Sequence, residues 1–559
     1  MFGMKRFYGL RGTSLNIAIG IIAGLDFLLF GYDQGVMGGL LTLPSFTRVF
    51  PEINTIGESG NSPKSTTQGI TIGSYNLGCF AGAIICIWLG QFLGRRRTIF
   101  VGSAVMVVGA AIQCSSFGIA QLIVGRFITG IGNGLNTSTV PTWQSETTKS
   151  HRRGQMVMIE GALISGGIML SYWIDFGFSF IDGAIAWRFP IGFQILFALI
   201  ILSLILGLPE SPRWLVLKGR EDEAVTVLAA LSNLEPEDEY IQSEFVAIKE
   251  TVIEMSQGSF KDVFTMGKDR NFHRALLGYV NQMFQQISGI NLITYYAATI
   301  YEQEIGLSGF LSRILAAANG TEYFLASWIA VFTVEKIGRR PLMLFGAAGM
   351  SMSMVVLAAV TSVGGTGPGI VAAVFLFIFN TFFAIGWLGM TWLYPSEIVP
   401  LRIRAPSSAL STSANWIFNF MVVMITPIAF ANIQYQTYII FAVINAFIVP
   451  CVYFFYPETA YRSLEEMDEI FHKSHMSKNA WFDVVKIAKP KNTPNRYDKN
   501  GKLLINYLET EEHRRRSSVV GAPGAKGINE IENKERSSHD EAYATEGRFA
   551  GGSGSEKSL

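Results

Sequence analysis

Two charged side chains of this chain, Asp33 and Arg126, lie inside long apolar runs. An ionisable group in such a setting is costly to keep and is a functional candidate by default. A carboxyl and a guanidinium can form a fixed ion pair, or they can act as a switch. A nearby arginine favours the ionised carboxylate, whereas separation in an apolar site favours uptake of a proton. Asp26, seven residues before Asp33, falls on the same helical face two turns away and could tune or relay that proton. Glu160, Asp175 and Glu322 are further carboxyls in apolar surroundings with no partner legible in the sequence, and Asp175 is expected to be wet near the end of its run. Gln285, Gln286 and Asn291 offer a different chemistry around Ser288-Gly289. Carboxamides donate and accept at once, which suits a neutral ligand of alternating hydroxyls. The glycine can loosen a helix, letting amides on different faces approach one cavity. No P-loop or nucleophile–base constellation is present, so neither an enzyme nor a user of ATP is expected. Cys79, Cys86, Cys114 and Cys451 lie in apolar runs without metal-ligand spacing, so no metal or other cofactor is expected.

The elements that must position these groups follow from where charge is missing. The chain has 559 residues, 49% of them hydrophobic, with 44 basic and 43 acidic side chains. Of these charges, 21 fall in 209–274 and 34 in 457–559, leaving 32 for the other 390 residues. That is about 8%, against roughly 25% in soluble domains. The net charge of +1 carries no nucleic-acid footprint. Apolar runs long enough to cross a bilayer occur near 15–40, 69–90, 98–115, 118–140, 157–177 and 189–208. After the polar interval they recur near 275–299, 309–333, 341–362, 369–394, 406–430 and 435–456. The expected fold is an all-α membrane protein of twelve transmembrane helices, here called spans 1–12. Two six-helix bundles, 1–208 and 275–456, flank a linker of short amphipathic helices at 209–274. A tail at 457–559, rich in Ser, Gly and charge, is expected to be largely disordered after about 480.

Lysine and arginine set the orientation. Arg95-Arg96-Arg97, Lys149 with Arg152-Arg153, Arg339-Arg340, and Arg402 with Arg404 occupy one set of short loops. The opposite loops between spans 3 and 4, 7 and 8, 9 and 10, and 11 and 12 carry no Lys or Arg. Both termini and the linker fall on the basic side and are expected in the cytoplasm. The halves also echo each other. Gly94-Arg95-Arg96 recurs as Gly338-Arg339-Arg340, Glu146 with Arg153 recurs as Glu397 with Arg404, and Pro209-Glu210 recurs as Pro457-Glu458. Three signatures repeated at matching span ends imply duplicated halves around a central site, as alternating access requires.

These motifs, with Phe-Gly-Tyr-Asp at 30–33, Pro-Glu-Ser-Pro-Arg at 209–213, Gln-Gln-Ile-Ser-Gly-Ile-Asn at 285–291 and Pro-Glu-Thr at 457–459, resemble the sugar porter family of the Major Facilitator Superfamily (MFS) over roughly 15–475. LNTSTVPTWQSE (135–146), SYWIDFG (171–177) and YPETAYRSLEEMDEIF (456–471) are similar to fungal members, among them glycerol–proton symporters and monosaccharide transporters. The resemblance implies import of a monosaccharide, hexose or pentose, by proton symport at the plasma membrane. Symport of glycerol or another polyol, uniport, and a transporter-like sugar sensor are the alternatives. It implies that Asp33 takes the proton with Arg126 as partner, and that the chain acts as a monomer in the bilayer. It assigns the ligand to Gln285, Gln286, Asn291, Tyr295, Trp392 and Asn415. Glu146, Arg153, Glu397, Arg404, Arg95, Arg96, Arg339, Arg340 and Glu210 match residues that cross-link the halves when the outside is open. This chain departs from the family where a ligand-binding glutamine becomes Gly161, an asparagine becomes Tyr323, Gly-Pro becomes Leu388-Gly389, and a carboxylate becomes Gln91. The first three changes are shared with the glycerol symporters, which implies a reshaped pocket.

Overall fold

The computed structural model describes residues 6–55, 63–147, 153–256, 260–462 and 464–493, and all regular structure among them is helical. Spans 1–6 are Gly12–Leu40, Pro63–Leu93, Arg95–Cys114, Ile119–Thr147, Arg153–Phe178 and Ile185–Ile205. Span 7 runs as Asn271–Gln285, a π turn at Gln286–Ile290, and Asn291–Thr299. Spans 8 and 9 are Gly309–Ile337 and Arg339–Val363. Span 10 runs as Thr366–Phe383, a π turn at Ala384–Leu388, and Met390–Ile398. Spans 11 and 12 are Arg404–Ile433 and Gln436–Phe455.

Among the described residues, nine helices are long and apolar enough to cross a membrane by composition alone. The other three spans are 4, 7 and 8. Span 4 buries Arg126, Asn133 and Asn136, span 7 is broken around its amides, and span 8 carries Asn319 and Glu322. Polar groups at membrane depth are tolerated where protein, not lipid, surrounds them. Spans 4 and 7 therefore turn their polar groups inward, whereas span 8 buries Asn319 and keeps an apolar outer side through Leu325 and Phe332.

Contacts between spans follow a pseudo-twofold pattern. Span 3 packs on 4 and 6 as span 9 packs on 10 and 12, and span 1 packs on 5 as span 7 packs on 11. The two bundles meet along span 2 against 11 and span 5 against 8, pairs that exchange under the same symmetry. The outer flank is apolar: Phe92, Met352, Val443 and Phe447 are all well exposed. Exposed large apolar side chains of this kind are what a lipid environment accepts.

The linker folds as short helices at Pro212–Leu217, Glu221–Ser232 and Glu239–Ser256. It lies against the start of the chain, where Asn16 donates to Leu231 O at 3.0 Å. The tail stays ordered past 480. Helices Leu464–His475 and Ala480–Ile487 pack on the basic face because Met467, Ile470, Phe471 and Val484 give each an apolar side to bury. The expected disorder from 494 onward lies outside the described residues.

Candidate functional site

The repeated motifs build one device twice. After span 2 the chain turns through Gly94 (φ +85°), and after span 8 through Gly338 (φ +102°). Glu210 accepts from the backbone N–H of Arg95 at 3.0 Å and Arg96 at 3.2 Å. Glu458 accepts from Arg339 at 2.9 Å and Arg340 at 3.1 Å. Each Pro-Glu carboxylate thus caps the next span at its positive end, where first-turn N–H groups lack helical partners. Burial pushes the Glu210 carboxyl up from its ordinary range, while these N–H bonds pull the other way. A side chain at either glycine would strike that carboxylate.

Arginine completes each cap. Arg95 Nε pairs with Glu146 at 3.0 Å, and Arg339 pairs with Glu397 at 2.7 Å and Glu335 at 2.8 Å. Arg96 and Arg340 donate instead to carbonyls at the ends of spans 6 and 12, Leu208 O at 2.9 Å and Tyr453 O at 2.7 Å. The Arg95–Glu146 and Arg339–Glu397 pairs each lie within one half. Arg404 donates to Val399 O at 3.2 Å, again within its own half. The side chain of Arg153 lies outside the described residues.

At mid-span, Gln285, Gln286, Asn291, Asn415 and Trp392 line one cavity between the halves. Its volume is about 30 Å³, so the site is contracted. The amides form a chain. Asn291 donates to Gln286, Gln286 donates to Gln285 at 3.0 Å, and Asn415 donates to Gln285 at 2.9 Å and Gln282 at 2.6 Å. The two π turns explain why amides gather here. A π turn loosens the helical ladder and frees carbonyls, and Asn445 takes Ser288 O at 2.7 Å. Gln285 takes Trp387 O and Leu388 O, both at 3.2 Å, and Gln282 takes Thr391 O at 2.9 Å. Gly289 makes the first turn possible at φ +98°, packed against Met354 and Phe441.

Several expectations need correcting. Tyr295 is fully buried and does not line the cavity; its hydroxyl donates across the halves to Asn76 at 3.1 Å. It stands one helical turn beyond Asn291, where the span has turned toward span 2. Asp33 and Arg126 are both buried but form no ion pair. The guanidinium is occupied by Thr71 O at 3.1 Å and Ile72 O at 3.2 Å and lies over the Tyr75 ring. Asp33 Oδ2 is left without a hydrogen-bond partner. Asp175 is buried against Gly39 rather than wet. Glu322 accepts from Thr381 on the outer flank, away from the cavity. Sequence reasoning missed Gln282, whose signal is its place one turn before Gln285, and Gln34 and Thr294, which also line the cavity.

The departures at Gly161 and Tyr323 are visible in the same place. Gly161 meets Gly389 of span 10, where an added Cβ would lie 3.2 Å from the Gly389 Cα. Tyr323 and Leu388 form cavity wall. Toward the face opposite the basic one, Gln303 donates to Thr55 at 3.2 Å and Arg313 donates to Thr42 O at 3.2 Å, tying the halves together.

Residues 19–471 match the family described as sugar (and other) transporter. The chain belongs to that family. It is 40% identical over 476 residues to the sugar transporter STL1 of Saccharomyces cerevisiae, covering 84% of this chain and 83% of that one. It is likewise 40% identical over 480 residues to the MFS-type transporter oryC of Aspergillus oryzae, covering 84% and 88%. The inward-open xylose transporter XylE of E. coli superposes with a TM-score of 0.67 at 25% identity, over 81% of this chain and 99% of that structure. The polar cavity of this family member is lined from spans 1 and 5 on one side and spans 7, 8, 10 and 11 on the other, and the buried Asp33 carboxyl stands apart from Arg126.

Proposed function

We propose that this transporter imports a monosaccharide, hexose or pentose, across the plasma membrane by proton symport with alternating access. Both termini then lie in the cytoplasm, on the basic face, and the monomer is the working unit. The amide chain around the span-7 π turn carries this reading. A sugar hydroxyl left unpaired after desolvation costs about 1–3 kcal/mol, so a dry crossing needs several donor–acceptor groups at once. Gln285, Gln286, Asn291 and Asn415 offer them on one half, held by bonds that a ligand can exchange for its own, with Gln282 behind them positioning Asn415. Trp392 supplies an apolar face for the sugar's C–H groups.

Coupling rests on Asp33. With Arg126 engaged by backbone carbonyls, the buried carboxyl has no cation within ion-pair distance, and a buried charge without direct pairing costs several kcal/mol. A proton relieves that cost, and return of the arginine expels it. The charges of Glu146, Arg153, Glu397 and Arg404, with Arg95, Arg96, Arg339, Arg340 and Glu210, close the basic face when the outside opens. In the present conformation the described pairs stay within each half and the bridges lie at the opposite face.

A second reading, import of glycerol or another short polyol, is favoured by the narrow cavity and by the loss of amides at Gly161 and Tyr323. Expression in a yeast lacking hexose carriers, with labelled glucose, xylose and glycerol, separates the two. Saturable sugar uptake supports the first reading, and glycerol uptake alone supports the second. Tight sugar binding without uptake would make the chain a sensor and defeat both.

A further inference from the structure

Asp26 and Glu160 take no part in the ligand cavity, yet both are buried within the amino-terminal half at 2% and 4% exposure. Asp26 is held in place: its Oδ1 accepts from Asn136 at 2.7 Å, and Asn136 also reaches Ser103 Oγ at 3.0 Å. The second oxygen, Asp26 Oδ2, is fully buried without a partner, and no cation acts on the buried Glu160 carboxyl. Asp26 acts electrostatically on Glu160 and on Asp33, which places its carboxyl near both. Arg126 acts on Asp33 but on neither of these two, and no other cation from the spans packed against them reaches the pair. Metal-holding groups of three or more ligands are absent among the described residues. Spans 1 and 5 run side by side, with Gly24 against Leu163 and Gly31 against Ile164, so Glu160 stands level with Asp26. Seven residues of helix put that level about 10 Å from Asp33, on the basic side.

We propose that Asp26 and Glu160 form a second proton-binding station that carries the symported proton from Asp33 toward the cytoplasm. This rests on the proton-symport reading above. Two unpaired carboxyls side by side in an apolar bundle cannot both hold charge cheaply, so they share one proton. Asp33 gives its proton through a file of waters to the Asp26 carboxylate: each water gains one O–H bond and loses another, an Asp33 O–H is exchanged for an Asp26 O–H, and Asp33 is left ionised for Arg126. Glu160 then releases the proton the pair already shared to water on the basic face, and Asp26 passes its own to the Glu160 carboxylate so formed, which restores the starting state. Asn136 is a positioning residue, donating to Oδ1 so that Oδ2 stays free to take the proton.

The test uses the full chain in proteoliposomes with the labelled solute found above. Uptake driven by an imposed pH gradient is compared with counterflow, which exchanges solute without net proton movement. Glu160→Gln and Asp26→Asn should each slow proton-driven uptake about 100-fold, the low end for a positioned proton-transfer group, and leave counterflow unchanged. Glu160→Asp should restore part of the driven rate, and Asn136→Ala should shift its pH profile. Equal loss of both modes, full proton-driven uptake by the near-isosteric Glu160→Gln, or a requirement for sodium would each overturn the station. If the unaltered protein takes up no protons, the symport reading itself fails. If it does and the variants match it, only the station fails.

Discussion

Replacing Gly338 by alanine tests whether the turn after span 8 is built for its carboxylate cap. The backbone there, at φ +102° and ψ 168°, lies in a region open almost only to glycine, and a forced side chain costs about 1–3 kcal/mol. The new Cβ would also stand 2.7 Å from Glu458 Oε2. That carboxylate must retreat from the Arg339 and Arg340 N–H groups, and a lost hydrogen bond to a charged group costs about 1.5–3 kcal/mol. Together the loss is about 3–5 kcal/mol, with Gly94→Ala matching it through Glu210. Gly364 separates the two contributions. It has the same kind of backbone, φ +68°, but nothing within 4 Å of a built Cβ, so Gly364→Ala should show the strain alone, about 1–3 kcal/mol. Heating purified protein and reading the folded fraction by fluorescence-detected size exclusion should melt Gly338→Ala several degrees below Gly364→Ala. Equal melting of the two variants would refute the cap as a determinant of this turn.

Three further outcomes are expected. Gln286→Ala should weaken ligand binding about 10- to 100-fold, the value of one unpaired hydroxyl, whereas Asn319→Ala should leave binding unchanged because Asn319 pairs with Asn380 at 2.6 Å; competition binding on matched membranes reads both. Arg126→Lys should keep more uphill uptake than Arg126→Ala, since it retains the charge but loses the planar fork that spans two carbonyls. His273, in the first turn of the span-7 helix ahead of its apolar run at 275–299 and tilted against the Trp481 ring, is pushed down to about 3 by burial and by Arg270 and Arg274. The unfolded histidine binds a proton near pH 6.5 that the folded one refuses, so the tail clasp should weaken as pH falls from about 6.5 toward 3; limited proteolysis of the tail at pH 7.5 and 5 measures it, and His273→Gln should remove the difference.

Much of this was legible before any coordinates. The scarcity of charge outside 209–274 and 457–559 marks every span, because lipid leaves little room for ionised groups. Span 7 shows what period and composition convey less well. Its amides and Gly289 announce a loosened helix, but not that span 10 carries a second π turn whose carbonyls those amides satisfy. Ala384–Leu388 carries no amide or charge, and Gly386 alone is a faint trace of that turn. Tyr295 and Arg126 show what spacing leaves open. Spacing places a residue on a helix, yet its partners are settled by how the helix leaves an irregular turn, or by which backbone carbonyl is nearer than the carboxylate. The second carboxyl pair was half visible: Asp26 through its spacing from Asp33, Glu160 only once spans 1 and 5 lie side by side.

The most direct test of proton-coupled import is the external pH trace when solute is added to de-energised cells expressing the protein. The unaltered chain should alkalinise the medium as labelled solute enters and should accumulate it when an inward proton gradient is imposed. Asp33→Asn should still exchange solute across the membrane but show neither alkalinisation nor accumulation. Uphill uptake with a normal alkalinisation in Asp33→Asn would contradict the account.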